Sequence, residues 1–124
     1  MKTIFLLAAT TAATLPLAGS QTESAPYQAE LVTRQIGATM RVSGLCRSVA
    51  GPGGRFRYEL EAERIGPGGH SVSSQGGHFA LAARQEVLLA QTTLGGLGPE
   101  AHYRLRLRVY DAAGQPVAQD SVNH

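Results

Sequence analysis

Five arginines, Arg55, Arg57, Arg104, Arg106 and Arg108, carry the clearest chemical signal in this chain. The last three occupy every second position, so three guanidinium forks stand in a row along one side of the segment. Such a row can grip carboxylates through paired hydrogen bonds. The residues between and around them, Tyr103, Leu105, Leu107 and Val109, are apolar. This alternation predicts a half-buried β-strand with one face in a core and the arginines in water. Arg55 and Arg57 alternate in the same way with Phe56 and Tyr58. Glu59, Glu61 and Glu63 then continue the wet face of that second strand.

Other chemistry is poorly provided for. His70, His78, His102 and His124 lack metal-ligand spacing and have no cysteine pair beside them. His70 and His78 sit next to glycines, which suggests exposed loops. Ser43 and Ser71 lack the flanking glycines of a nucleophile elbow. The glycine-rich segments do not match a phosphate loop, and Pro52 and Pro67 interrupt two of them. Glu59, Glu61 and Glu63 lie two apart on a wet face, the pattern of a solvated strand surface rather than a glycosidase pair. The chain has no Trp to line a sugar or base platform. These observations predict no enzyme, no metal and no cofactor.

The elements that position the arginines follow from patterning. Lys2, the apolar run from Ile4 to Leu17 and the small residues Ala18, Gly19 and Ser20 read as a secretory signal peptide over 1–20, cut after Ser20. The apolar run is too short to span a bilayer. Residues 21–27 form a polar lead, and 28–124 one domain. Lys2 is the only lysine, and without it bases and acids nearly balance, which argues against a nucleic-acid binder. With a single cysteine, an exported chain forms no internal disulfide. Cys46 reads as a buried small hydrophobe rather than a reactive thiol.

Seven strands are predicted between Gly- and Pro-rich turns: Gln28–Gln35, Thr39–Arg47, Arg55–Ile65, one within His70–Leu81, Glu86–Leu94, Tyr103–Val109 and Val117–Val122. A bulge or break is expected at Gly76 and Gly77. A helical reading of Phe79–Leu89 competes, but Val87, Thr92 and Thr93 favour extended chain. Leu97, Pro99 and Tyr103 have the spacing of a tyrosine corner. The expected fold is an all-β, seven-stranded antiparallel immunoglobulin-like β-sandwich. Its third and sixth strands should be neighbours, with Glu59, Glu61 and Glu63 opposing the arginines of strand six. Arg55 and Arg57 should lie beyond them, less well neutralised.

From Gly77 to Leu94, and again from Tyr103 to Asp111, the chain resembles the CsgC/CsgH family of curli-system periplasmic proteins, and most nearly its CsgH branch. The resemblance implies a periplasmic monomer that binds a curli amyloid subunit transiently and blocks its premature fibrillation. It implies no membrane insertion and no nucleic acid. CsgC-type members carry a Cys-x-Cys in the third strand, where this chain reads Arg55-Phe56-Arg57-Tyr58, so a dithiol role does not carry over. The candidate client-binding residues are Arg55, Arg57, Arg104, Arg106 and Arg108. The competing reading of the same arginines is a wet face that keeps the domain soluble. Leu97, Pro99 and Tyr103 also fit a fibronectin III-like extracellular adhesion module. Such modules usually carry an early Trp and occur in tandem.

Overall fold

A computed structural model describes residues 25–124. The expected signal peptide and residues 21–24 of the polar lead lie outside the described residues. Seven strands follow one another: β1 (Tyr27–Ile36), β2 (Thr39–Ser48), β3 (Gly54–Gly66), β4 (Gly69–Leu81), β5 (Glu86–Leu94), β6 (His102–Asp111) and β7 (Pro116–Asn123). They form two antiparallel sheets, ordered β1-β2-β5 and β4-β3-β6-β7. The expected all-β sandwich is the observed one. Among the described residues there is no helix, and Phe79–Leu81 closes β4 while Glu86–Leu89 opens β5.

Period-two patterning sets which face each strand buries. Leu105, Leu107 and Val109 of β6 are wholly buried, as is Val42 of β2, and Met40, Leu60 and Ala62 are nearly so. These side chains fill the space between the sheets. The sheets approach closely where Gly44 of β2 faces β6. A Cβ added there would stand 3.3 Å from Leu107 Cδ2. Gly44 thus makes room for the larger side chain. One step along, Leu45 pairs with Leu88 while Gly44 pairs with Ala90, so Leu89 is an extra residue in β5. The bulge breaks the alternation, so that the consecutive residues Leu89 and Ala90 both face the core while Leu88 stays exposed. The interruption lies here and not at Gly76 and Gly77, where β4 keeps an unbroken register with β3. Glycine is needed at 76 for a different reason: a Cβ would meet the Tyr58 carbonyl oxygen of β3 at 2.8 Å.

Two further expectations are corrected. Tyr27, assigned to the polar lead, opens β1. Its ring packs edge-on against Phe56 with centroids 5.0 Å apart, and its hydroxyl donates to the Pro52 carbonyl at 2.6 Å. Tyr103 does not make the corner bond, since no hydrogen bond of its hydroxyl is found among the described residues. Its backbone pairs instead with His124: Tyr103 N donates to the His124 carbonyl at 3.1 Å, the Tyr103 carbonyl accepts from His124 N at 2.9 Å, and the two rings lie 5.5 Å apart. The crossing between sheets is held by buried Leu97 and Ala101, with Leu97 N donating to the Ala38 carbonyl at 2.9 Å.

The interior row of β6 should dominate stability. Leu107→Ala removes a fully buried side chain facing a glycine that cannot fill the space, and should cost about 2–5 kcal/mol. Urea denaturation checks this: the midpoint should fall steeply, and a loss near zero would place Leu107 outside the core.

Candidate functional site: the charged face of the four-stranded sheet

With Leu105, Leu107 and Val109 inside, the pleat sends Arg104, Arg106 and Arg108 to the opposite face. The β3–β6 register sets Glu59 opposite Arg108, Glu61 opposite Arg106 and Glu63 opposite Arg104. The predicted charge ladder is therefore present, but the carboxylates do not all turn to the arginine across from them. Glu63 lies 3.6 Å from Arg104 and also receives His70 Nε2 at 2.7 Å. His70 and His78, read as loop residues, are exposed positions within β4.

Glu59 turns away from Arg108 to its own strand. Arg57 Nη1 donates to Glu59 Oε2 at 2.9 Å, and the Tyr110 hydroxyl donates to Glu59 Oε1 at 3.1 Å. The Arg57 guanidinium stacks 4.2 Å above the Tyr110 ring. Arg57 is thus held by a carboxylate and an aromatic face, contrary to the expectation that it would be poorly neutralised. Arg55 meets that expectation: it pairs with Ala80 beyond the end of β6 and has no carboxylate within 4.0 Å among the described residues. Neither do Arg106 and Arg108, and Glu61 has no basic group within the same distance among the described residues. The arginines from β6 are therefore split: Arg104 is engaged, while Arg106 and Arg108 keep donors available.

A hollow of about 700 Å³ opens on this face beside Arg106 and Arg108. Its edges include Arg57, Glu59, Ser74 and His78, and it opens where Gly76 offers no side chain. Sequence patterning located the arginines but not the hollow or the Arg57–Glu59–Tyr110 cluster. Tyr110 was legible only as the next residue after Val109. Its partnership with Arg57 needs the register, which places the two directly opposite.

The other sheet has a different outer face. Arg34 and Arg41 stand directly opposite one another there, near exposed Val32, Ile36 and Leu88. Like charges in that relation are unfavourable. Cys46 is buried on the inner side of β2, and burial pushes its thiol up to about 11. Among the described residues, no group of three or more His, Cys, Asp or Glu is gathered in a way that could hold a metal ion.

No protein-family model matches this chain, and neither does any curated relative. Solved structures do. CsgH of R. palustris matches 78% of this chain and 91% of its own, at 24% identity and a TM-score of 0.60. The E. coli curli protein CsgC matches 77% and 96%, at 19% identity and a TM-score of 0.65. This is a CsgC/CsgH-like sandwich. A Bacteroides uniformis β-glucuronidase also matches, at 12% identity and a TM-score of 0.53, but over only 14% of its length. The same architecture thus serves as a small part of a large enzyme, and fold alone carries no activity.

Two titrations test the electrostatics of this account. Hydrogen bonds from Arg57 and Tyr110 hold the Glu59 carboxyl below its ordinary value. Its contribution to stability is present above the unfolded-state pKa and is lost as pH falls through the lower folded one. Followed by NMR, Glu59 should titrate below a free glutamate, and Tyr110→Phe should move it upward. An unmoved value in that variant would dissolve the cluster. For Cys46, native protein at pH 8 should react with a thiol reagent far more slowly than unfolded chain; equal rates would mean the thiol is accessible.

Proposed function

We propose that this protein is exported to the periplasm and acts there as a chaperone-like inhibitor, keeping a secreted curli amyloid subunit soluble until it is assembled. The likeness to CsgH and to the curli protein CsgC supports the system. The observation that carries the mechanism is the ladder on β3 and β6, in which Arg106 and Arg108 border an open hollow without a carboxylate of their own. An acidic, unfolded client finds donors there that need not first be freed from an internal ion pair.

Exposed ion pairs contribute little individually, about 0–1 kcal/mol. That magnitude suits the task. A client captured by a few such contacts is slowed on its way to nucleation and then released, as a transient interaction requires. Electrostatic capture also speeds encounter and weakens with salt. Arg55, Arg57 and Arg104 would extend the same surface. Arg57, stacked on Tyr110, would act as a fixed wall of the hollow more than as a mobile arm.

The domain boundaries belong to this proposal. Residues 1–20 serve as the signal peptide, 21–26 lead into the domain, and the sandwich that meets the client begins at Tyr27. Sequencing the N-terminus of protein recovered from the periplasm should find Gln21 first; recovery of an intact Met1 end from that compartment would remove the signal-peptide reading.

The inhibitory activity is tested by fibrillation of a monomeric curli subunit followed by dye fluorescence. Wild-type protein should lengthen the lag. Arg106→Glu combined with Arg108→Glu should weaken the effect about tenfold, since about 1.4 kcal/mol is within reach of two reversed surface contacts. Circular dichroism should show the variant still folded. An unchanged lag with wild-type protein would end the chaperone reading. Full activity in the double variant would move it off the arginines.

A further inference from the structure

The sandwich has four sheet edges, β1 and β5 in one sheet and β4 and β7 in the other. Three of them are protected. β1 and β7 lie against each other along one side. Asp120 of β7 points inward there, and its Oδ2 accepts a hydrogen bond from the Leu31 N–H of β1 at 2.8 Å. An inward-pointing charge of this kind is a device against edge-to-edge pairing. β5 is interrupted by the bulge at Leu89 and opens with Glu86, whose carboxylate lies 3.6 Å from Arg47. Neither edge offers a clean ladder to a further strand.

β4 has none of these devices beyond its second residue, His70, which is held to Glu63 at 2.7 Å. It runs thirteen residues in unbroken register with β3. From Gly69 to Leu81 it contains no Pro, Asp, Glu, Lys or Arg. From Gly69 through Gly76 it is exposed at every position. An antiparallel ladder satisfies only every second residue of an edge strand, so alternate N–H and C=O groups of β4 point outward. Among the described residues, none of its backbone groups is bonded to anything but β3. Natural sheets seldom leave a long, flat and unblocked edge, because it is a template for another strand.

We propose that β4 is a strand-addition site that takes up an extended, uncharged segment of another polypeptide, with a large side chain of that segment seated over Gly76. Between His70, which is already engaged by Glu63, and His78, the edge has no titratable side chain to compensate a charge placed beside it. An added strand lies about 4.8 Å away, and the residue directly opposite Gly76 comes within about 5.5 Å. Gly76 cannot itself fill the adjoining hollow, because a Cβ there would meet the Tyr58 carbonyl. A cross-strand aromatic covers such an edge glycine. On the inner side Tyr58 already does so for Gly77, with ring atoms 3.3 Å from where its Cβ would be. A second copy of this edge would bring mainly small residues and leave the outer hollow empty, which favours a foreign strand over self-pairing. This inference deepens the chaperone proposal and rests on it for the client, which the arginines would capture and the edge would then hold in extended form.

The test uses the exported protein and a capped, uncharged peptide that alternates serine and glutamine around one tyrosine. Amide hydrogen exchange is read strand by strand. The peptide should slow exchange of the outward β4 amides about tenfold and leave β5 unchanged. Val72→Lys combined with Ser74→Lys, both at exposed positions, should abolish that protection and shorten the lag in curli-subunit fibrillation. Gln91→Lys combined with Thr93→Lys places the same charge on β5 and should do neither. No β4 protection, or equal protection in the β4 variant, overturns the edge site. Protection that appears without peptide and grows with protein concentration overturns the foreign-strand assignment in favour of a second copy. If wild-type protein protects β4 yet leaves fibrillation untouched, the edge stands and the chaperone proposal falls. If the β4 variant inhibits fully, the reverse holds.

Discussion

The register of β6 is the constraint on which the rest of the molecule depends. Leu105, Leu107 and Val109 fill the space between the sheets, and Arg104, Arg106 and Arg108 are carried outward by the same pleat. A slip of one residue would exchange the two sets. It would bury three guanidinium groups without partners and expose the centre of the core, at a cost the small domain cannot meet. Burying the aliphatic row and displaying the arginine row are therefore one structural decision. The same register brings Glu59, Glu61 and Glu63 across from the arginines, and it places Tyr110 under Arg57.

The parts of this arrangement that follow from period two were legible in the chain. Strands β3 and β6 could be read closely because their apolar and charged residues alternate, and β5 because Val87, Thr92 and Thr93 favour extended chain and Gly95-Gly96 ends it. The neighbouring of β3 and β6 followed from the sandwich pattern. Features set by pairing geometry were not legible. Gly76 and Gly77 look like a break, yet the strand runs straight through them and the glycine answers a close approach by Tyr58. The true bulge falls at Leu89, inside a run of apolar residues where composition gives no hint. The tyrosine-corner spacing was present, but Tyr103 is drawn to the C-terminal residue instead.

The candidate site divides in the same way. The five arginines were found from residue type and spacing. Which of them are engaged was decided by rotamers and register: Arg57 and Arg104 have carboxylate partners, whereas Arg55, Arg106 and Arg108 have none within 4.0 Å among the described residues. The edge of β4 could not have been found from sequence at all. Its Ser- and Gly-rich composition marks the weakest strand by propensity, and its meaning appears only when the other three edges are seen to be closed. Charged face and open edge belong to the same sheet and share the hollow at Gly76, so capture of acidic side chains and pairing of an uncharged segment would act on neighbouring stretches of one client.

The central claim is that the four-stranded sheet, rather than the sheet carrying Arg34 and Arg41, is the working surface. Isotope-labelled protein titrated with a monomeric, fibrillation-competent curli subunit tests it directly by NMR. The account predicts amide shifts confined to β3, β4 and β6, centred on Glu59, Gly76, Arg106 and Arg108 and fading as salt is raised. Shifts centred on Arg34, Arg41 and Leu88, with β4 and β6 unmoved, would contradict it.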